Sequence, residues 1–254
     1  MQGVLYVGHG SRVEKARRQA QNFMETVQRQ IDVPLQEICF LELAEPDISE
    51  GIKKLVSRGA SRIAVIPVLL LSAGHYYKDI PEEVDKVRER FPEITFTYGR
   101  PLGVQERVID LAAERIKETG FSMEDDSEIL LVGRGSRNGQ TKRDMETIAA
   151  GLKERTEASA ISVCYLAACR PDFYEGLEGV GKNRRVFVVP YLWFTGILMQ
   201  EMEKEISKRN ASGGSFILCQ YLGSHPAMEE ALRDAVQEAL QKEPAAGTLA
   251  AQAL

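Results

Sequence analysis

Residues 4–12 read VLYVGHGSR and residues 129–137 read ILLVGRGSR, six identities in nine positions at an offset of 125. The same offset carries ICFLELAEPDISEG at 38–51 onto VCYLAACRPDFYEG at 163–176, again with six identities. A third block, AVIPVLLLSAGH at 64–75, follows onto FVVPYLWFTGIL at 187–198 after the offset slips to 123. Three collinear blocks make the chain an internal duplication. Within each copy, short apolar runs alternate with longer amphipathic, charged segments, which is the α/β pattern. Strands are expected at 4–7, 37–43, 63–70 and 94–98, then at 129–132, 161–167, 186–192 and 216–220. Helices are expected at 12–30, 47–57, 80–90 and 104–118, then at 140–155, 172–180, 195–208 and 226–241. Runs such as IAVIPVLL at 63–70 are apolar on both faces, as parallel strands covered by helices must be. The expectation is two tandem α/β lobes, each a four-stranded parallel sheet flanked by helices. The polar stretch KETGFSMEDDS at 117–127 divides them into a lobe at 1–122 and a degenerate second lobe at 123–242, and the unpatterned segment 243–254 reads as a frayed tail.

Composition narrows the function classes. The 254 residues carry a formal net charge of −5, split −3 over residues 1–125 and −2 over the rest, so neither half offers a basic face to nucleic acid. The longest apolar stretch, 63–71, contains Pro67 and falls well short of the ~18 residues a bilayer requires. The apolar opening at 1–8 lacks a preceding basic residue and is too short for a secretion signal, so a cytoplasmic location is expected. Cys39, Cys164, Cys169 and Cys219 form no CxxC pair and read as reduced, mostly buried thiols.

In parallel α/β sheets ligands bind at the carboxyl ends of strands. Three such ends carry chemistry: Gly8-His9-Gly10-Ser11-Arg12, Leu41-Glu42-Leu43, and the segment from Ser72 to Pro81 that holds His75 between Gly74 and Tyr76. The duplication supplies an internal test. His9 becomes Arg134, Glu42 becomes Ala167 and His75 becomes Leu198, while the surrounding Gly, Ser, Arg, Pro and Val scaffold persists. Joint loss of three polar groups from a retained scaffold points to one shared task in the first copy. Two imidazoles and a carboxylate suit a divalent metal such as Fe, Co, Ni or Zn, and equally suit proton transfer near neutral pH. The retained Ser11 and Ser136, Arg12 and Arg137, with Arg134 in addition, offer hydroxyls and guanidiniums to a multiply anionic ligand. Helix N-capping is the competing role for the serines, and plain solvation for the arginines. His225, just before Pro226, reads as a helix-start residue with a direct metal role as the alternative. Cys39 and Cys164 occupy equivalent strand positions, which favours packing over reactivity. Tyr76, Tyr77, Trp193 and Phe194 stand at equivalent strand ends, where core packing competes with facing a flat aromatic ligand.

VGHGSR at 7–12, LELAEP at 41–46 and PVLLLSAGHYYKDIP at 67–81 together resemble the long-form, two-domain sirohydrochlorin chelatases, most of all the ferrochelatases of the Bacillus type, from residue 4 to about 240. The resemblance implies a class II chelatase-like fold with a cleft between two lobes, and insertion of Fe²⁺ into sirohydrochlorin to give sirohaem and two protons. It places His9, Glu42 and His75 as the metal-holding and catalytic residues. Arg12, Arg134 and Arg137, with Ser11 and Ser136, become candidates to meet the carboxylates of the tetrapyrrole. Neither redox cofactor nor ATP is implied, because the divalent metal is itself a substrate. Fusion of two copies points to a monomer. Cobalt insertion for cobalamin synthesis is the alternative within the family, and Ni²⁺ is compatible with the same donors. A histidine phosphatase would need an arginine where Gly8 stands, and a metal chaperone would favour Cys or Met clusters. A non-catalytic tetrapyrrole-binding protein would have no reason to gather His, Glu and His in one lobe.

Overall fold

The computed structural model describes residues 1–72, 74–181 and 184–244. Ala73 and most of the segment expected to fray, 245–254, lie outside the described residues. Two four-stranded parallel sheets carry the fold, as the duplication requires. The first takes β1 (Gln2–Gly8), β2 (Leu35–Phe40), β3 (Arg62–Pro67) and β4 (Thr95–Tyr98) in the order β2-β1-β3-β4. The second takes β5 (Glu128–Gly133), β6 (Ala160–Tyr165), β7 (Val186–Tyr191) and β8 (Phe216–Leu218) in the order β6-β5-β7-β8. All neighbouring strands pair in parallel. The central strands are buried along nearly their whole length, as their unbroken apolar sequences require.

Helices α1 (Glu14–Gln28), α2 (Ile48–Ser57), α3 (Ile80–Arg88) and α4 (Glu106–Lys117) follow the first four strands in turn. Helices α5 (Gly139–Arg155), α6 (Phe173–Gly179), α7 (Ile197–Ala211) and α8 (Pro226–Gln241) follow the second four. The repeat extends to atomic detail. Asp47 and Glu50 close a capping box at α2, and Asp172 and Glu175 close its counterpart at α6. Gly51 of α2 lies so close to the sheet that a Cβ there would meet Leu5 at 2.7 Å, and one on Gly176 of α6 would meet Cys164 at 2.6 Å. These glycines let each helix press onto its sheet.

The division expected at residue 122/123 follows the repeat, but the packing divides the chain elsewhere. One compact unit holds residues 1–103 together with the described residues from Glu229 onward, and the other holds Val104–Met228. Helix α4 buries Val108, Ile109, Leu111, Ala112, Ala113 and Ile116, and packs on α5 and β7. Ile109 reaches Gly151 of α5, and Arg155 of α5 pairs with both Glu106 and Asp110. Helix α8 joins the first unit: Gln30 donates to Glu229 at 3.0 Å and Arg100 donates to Glu238 at 2.7 Å. Each copy thus gives its last helix to the other unit. The sequence offers no warning, because an apolar helix face does not specify which sheet it covers.

Candidate metal centre

The order β2-β1-β3 makes the three informative strand ends adjacent at the carboxyl edge of the first sheet. His9 follows β1 directly. Strand β2 ends at Phe40, not at Leu43 as expected, so Glu42 lies in the loop beyond the strand. That loop still tracks β1: Leu41 N–H donates to the Gly8 carbonyl at 2.9 Å and Glu42 N–H to the His9 carbonyl at 3.1 Å. The chain then turns sharply through Leu43 at φ 61°, a left-handed conformation costly for a branched residue, before Asp47 starts α2. Gly10, at φ +92°, is the partner of this turn, since a Cβ there would sit 1.7 Å from the Glu42 carbonyl oxygen. Only glycine lets the His9 loop and the Glu42 loop close together.

His75 occupies the first position of a π-helical turn, His75–Asp79, that runs into α3, where an irregular loop was expected. Such turns inside helices are frequent at functional sites. The turn is anchored from the sheet, because Tyr98 of β4 stacks on Tyr76 at 5.0 Å and its hydroxyl donates to the Tyr76 carbonyl at 2.8 Å. Tyr76 is therefore core, as is the buried Trp193 in the second copy, stacked on Phe194 at 5.4 Å.

The three side chains converge. His9 Nε2 stands 3.4 Å from Glu42 Oε1, and the rings of His9 and His75 meet edge to face with centroids 4.7 Å apart. One donor atom from each of His9, Glu42 and His75 lies within 4.8 Å of the others. A first-row ion holds N and O donors at about 2.0–2.2 Å, so donors that share one lie within about 4.4 Å of each other. The 4.8 Å envelope is wider than that, so the side chains must draw together to share an ion. The side chains of His9 and His75 are 29% and 26% exposed and that of Glu42 48%, so the centre sits at the surface with His9 Nε2 itself buried. Three protein donors leave coordination positions open, the condition for an ion that must be passed on. Among the described residues no second trio of this kind exists.

Sequence reasoning missed one member of this region. Asp79 Oδ2 lies 2.6 Å from His75 Nδ1. The His-x₃-Asp spacing was the available signal.

Ser11 Oγ accepts from Val13 N–H and Ser136 Oγ from Asn138 N–H, each at 3.1 Å. These are turns ahead of the helices, so the expected N-capping by the serines is corrected: α1 starts without a side-chain cap, and Asn138 caps α5 through Gln140 N–H. Arg12, Arg134 and Arg137 are exposed, and among the described residues no carboxylate pairs with any of them. His225 Nδ1 accepts from Ala227 N–H at 3.2 Å in the first turn of α8, and its Nε2 lies 3.6 Å from Glu114, which fits the helix-start reading. At the matching edge of the second sheet the scaffold recurs without the chemistry. Ala167 N–H donates to the Arg134 carbonyl, Ala168 takes φ 60°, and a Cβ on Gly135 would sit 1.9 Å from the Ala167 carbonyl oxygen. A cavity of about 350 Å³ there is lined by Ala167, Ala168, Cys169, Arg170 and Asp172.

Burial raises the Cys39 thiol well above its ordinary value and pushes Cys164 and Cys219 up to about 12, whereas Cys169 is only half-buried. The thiolate is the reactive form, so at pH 8 the three buried thiols stay protonated and inert. Alkylation of the native protein followed by peptide mass mapping is expected to modify Cys169 first, with the other three labelled only after unfolding.

A model of the CbiX family matches residues 3–119 and, separately, 128–239. The chain belongs to the CbiX family. The double match to CbiX restates the duplication, one family unit per copy. A curated sirohydrochlorin ferrochelatase of Priestia megaterium is 46% identical over 242 residues, covering 94% of this chain and 91% of the relative. A sirohydrochlorin cobaltochelatase of the same organism is 33% identical over 251 residues, covering 96% of this chain and 81% of the relative. A solved structure described as SirB from Bacillus subtilis with Fe³⁺ superposes with a TM-score of 0.84 at 41% identity, over 94% of this chain and 96% of that one. The two-lobed α/β fold expected from the repeat is the fold of these CbiX-type chelatases.

Proposed function

We propose that this protein is a sirohydrochlorin ferrochelatase: sirohydrochlorin and Fe²⁺ give sirohaem and two protons. The observation that carries this reading is the convergence of His9, Glu42 and His75 within 4.8 Å at the strand ends, in a chain 46% identical to a ferrochelatase. An aquo-metal ion must shed water and the macrocycle must lose two pyrrole protons, so donors and bases are needed together. Neutral imidazoles of His9 and His75 hold the ion while the Glu42 carboxylate completes the set and accepts a proton. Three protein donors with open coordination positions favour transfer over retention. Arg12, Arg134 and Arg137 are the cations we assign to carboxylates of the substrate. Ser11 and Ser136 keep their hydroxyl protons for donation, because their oxygens serve the turns as acceptors. The metal is consumed as substrate, and the reaction requires neither ATP nor a redox cofactor. Because one chain carries both copies, we take the working unit to be a monomer, and the net charge of −5 offers no footing for nucleic acid. No helix among the described residues is long and apolar enough to cross a membrane, and we place the protein in the cytoplasm.

Cobalt insertion is the second reading, favoured by the match to a cobaltochelatase, and the donor set alone does not choose, since affinity follows the metal more than the site. The higher identity to the ferrochelatase of the same organism favours iron. Anaerobic incubation with sirohydrochlorin and equal Fe²⁺ and Co²⁺ tests this, read by the product spectra. Sirohaem in excess is expected. Dominant cobalt product would transfer the assignment to the second reading.

A further inference from the structure

Asp79 is not one of the three converging donors, yet it makes a short polar contact to one of them. Its Oδ2 lies 2.6 Å from Nδ1 of His75, four residues earlier on the π-helical turn. A neutral imidazole has one proton for two ring nitrogens, so a carboxylate that accepts from Nδ1 places the proton there and leaves the lone pair on Nε2. We propose that Asp79 is a positioning residue that locks His75 in the Nδ1–H tautomer and makes Nε2 its metal-donating atom; this rests on the reading of His9, Glu42 and His75 as a metal site.

Two observations support the assignment. The turn that carries both residues is held by the core: Ile80 N–H donates to the His75 carbonyl, and buried Tyr76 is fixed by stacking on Tyr98 and by the Tyr98 hydroxyl. Asp79 therefore meets His75 in a constrained geometry. In addition, the pair disappears as a pair. At the offset of 123, His75 and Asp79 fall on Leu198 and Met202, two apolar residues on α7, the second of them fully buried. A carboxylate retained only to start a helix would have no reason to vanish together with the histidine.

The experiment combines two readouts on the full chain. ¹⁵N NMR of the metal-free protein reports the tautomer of His75, and titration with Co²⁺ alone, without tetrapyrrole, reports donor quality. Wild-type protein is expected to show Nδ1–H on His75. Asp79→Ala should lose that preference and weaken Co²⁺ binding about 10–100-fold, the usual effect of removing an outer hydrogen-bond partner. Asp79→Asn, whose amide oxygen can still accept from Nδ1–H, should restore most of both. An unchanged tautomer and a Co²⁺ affinity within about twofold of wild type in Asp79→Ala would overturn the proposal. If His75→Ala instead binds Co²⁺ as wild type does, the metal reading itself fails and the donor role of Nε2 falls with it.

Discussion

Replacing His9 or His75 by alanine is expected to lower the enzyme-dependent rate of Fe²⁺ insertion into sirohydrochlorin by about 10²–10⁴-fold, the scale of losing a positioned donor and proton acceptor. The two rings lie 4.7 Å apart and together supply two of the three donors, so neither has a substitute nearby. Both side chains are partly exposed at a sheet edge and outside the buried core, so their truncation should leave the unfolding transition nearly unchanged. Lys53→Ala, on an exposed position of α2, serves as the control that keeps the wild-type rate. Anaerobic rates followed by absorbance, with sirohydrochlorin affinity measured separately by fluorescence quenching, separate loss of chemistry from loss of binding. Alanine variants that metallate at the wild-type rate would remove the centre from the mechanism.

The second large effect concerns the scaffold. Gly10→Ala forces a Cβ to 1.7 Å from the Glu42 carbonyl oxygen, and Gly135→Ala forces one to 1.9 Å from that of Ala167, both at left-handed φ. Overlaps of that depth require the loops to part, and each variant should lose at least about 2 kcal/mol of stability in its unit. The functional outcomes should differ. In the first unit the displaced loop carries Glu42, so Gly10→Ala is expected to lose Co²⁺ binding and insertion as well. In the second unit the loop carries Ala167, so Gly135→Ala should destabilise while Co²⁺ affinity persists. Urea unfolding beside Co²⁺ titration checks both; equal loss of metal affinity in the two variants would contradict the assignment of the donors to the first unit.

Much of this was legible in the sequence because duplication acts as an internal comparison. The scaffold residues Gly10, Pro46, Asp47 and Gly51 recur as Gly135, Pro171, Asp172 and Gly176, and each pair recurs in the same structural role, the prolines through carbonyls that accept from Phe40 and Tyr165 N–H at the strand ends. Against that constant background, the replacement of His9, Glu42 and His75 stood out, and strand order then brought the three together. What stayed hidden has physical causes. The apolar run through Leu41 and Leu43 resembled continued strand, because periodicity does not register a left-handed turn at Leu43. Ser11 and Ser136 satisfy backbone donors one step before the helices begin, a shift that composition cannot resolve. Asp79 escaped notice because a π-helical turn has no hydrophobic period of its own, so HYYKD read as loop. The placement of α4 depends on Gly151 accepting Ile109 and on pairs such as Arg155 with Asp110, and that of α8 on pairs such as Arg100 with Glu238, contacts between segments distant in sequence.

The most direct test of the central claim is a stopped-flow measurement under anaerobic conditions, mixing the protein and sirohydrochlorin with Fe²⁺ and comparing the rate of metallation with the spontaneous rate. The account predicts insertion well above the spontaneous rate, saturable in both substrates and suppressed in Glu42→Ala as in the histidine variants. Tight sirohydrochlorin binding with insertion no faster than in buffer would contradict it, and would leave a tetrapyrrole carrier in place of an enzyme.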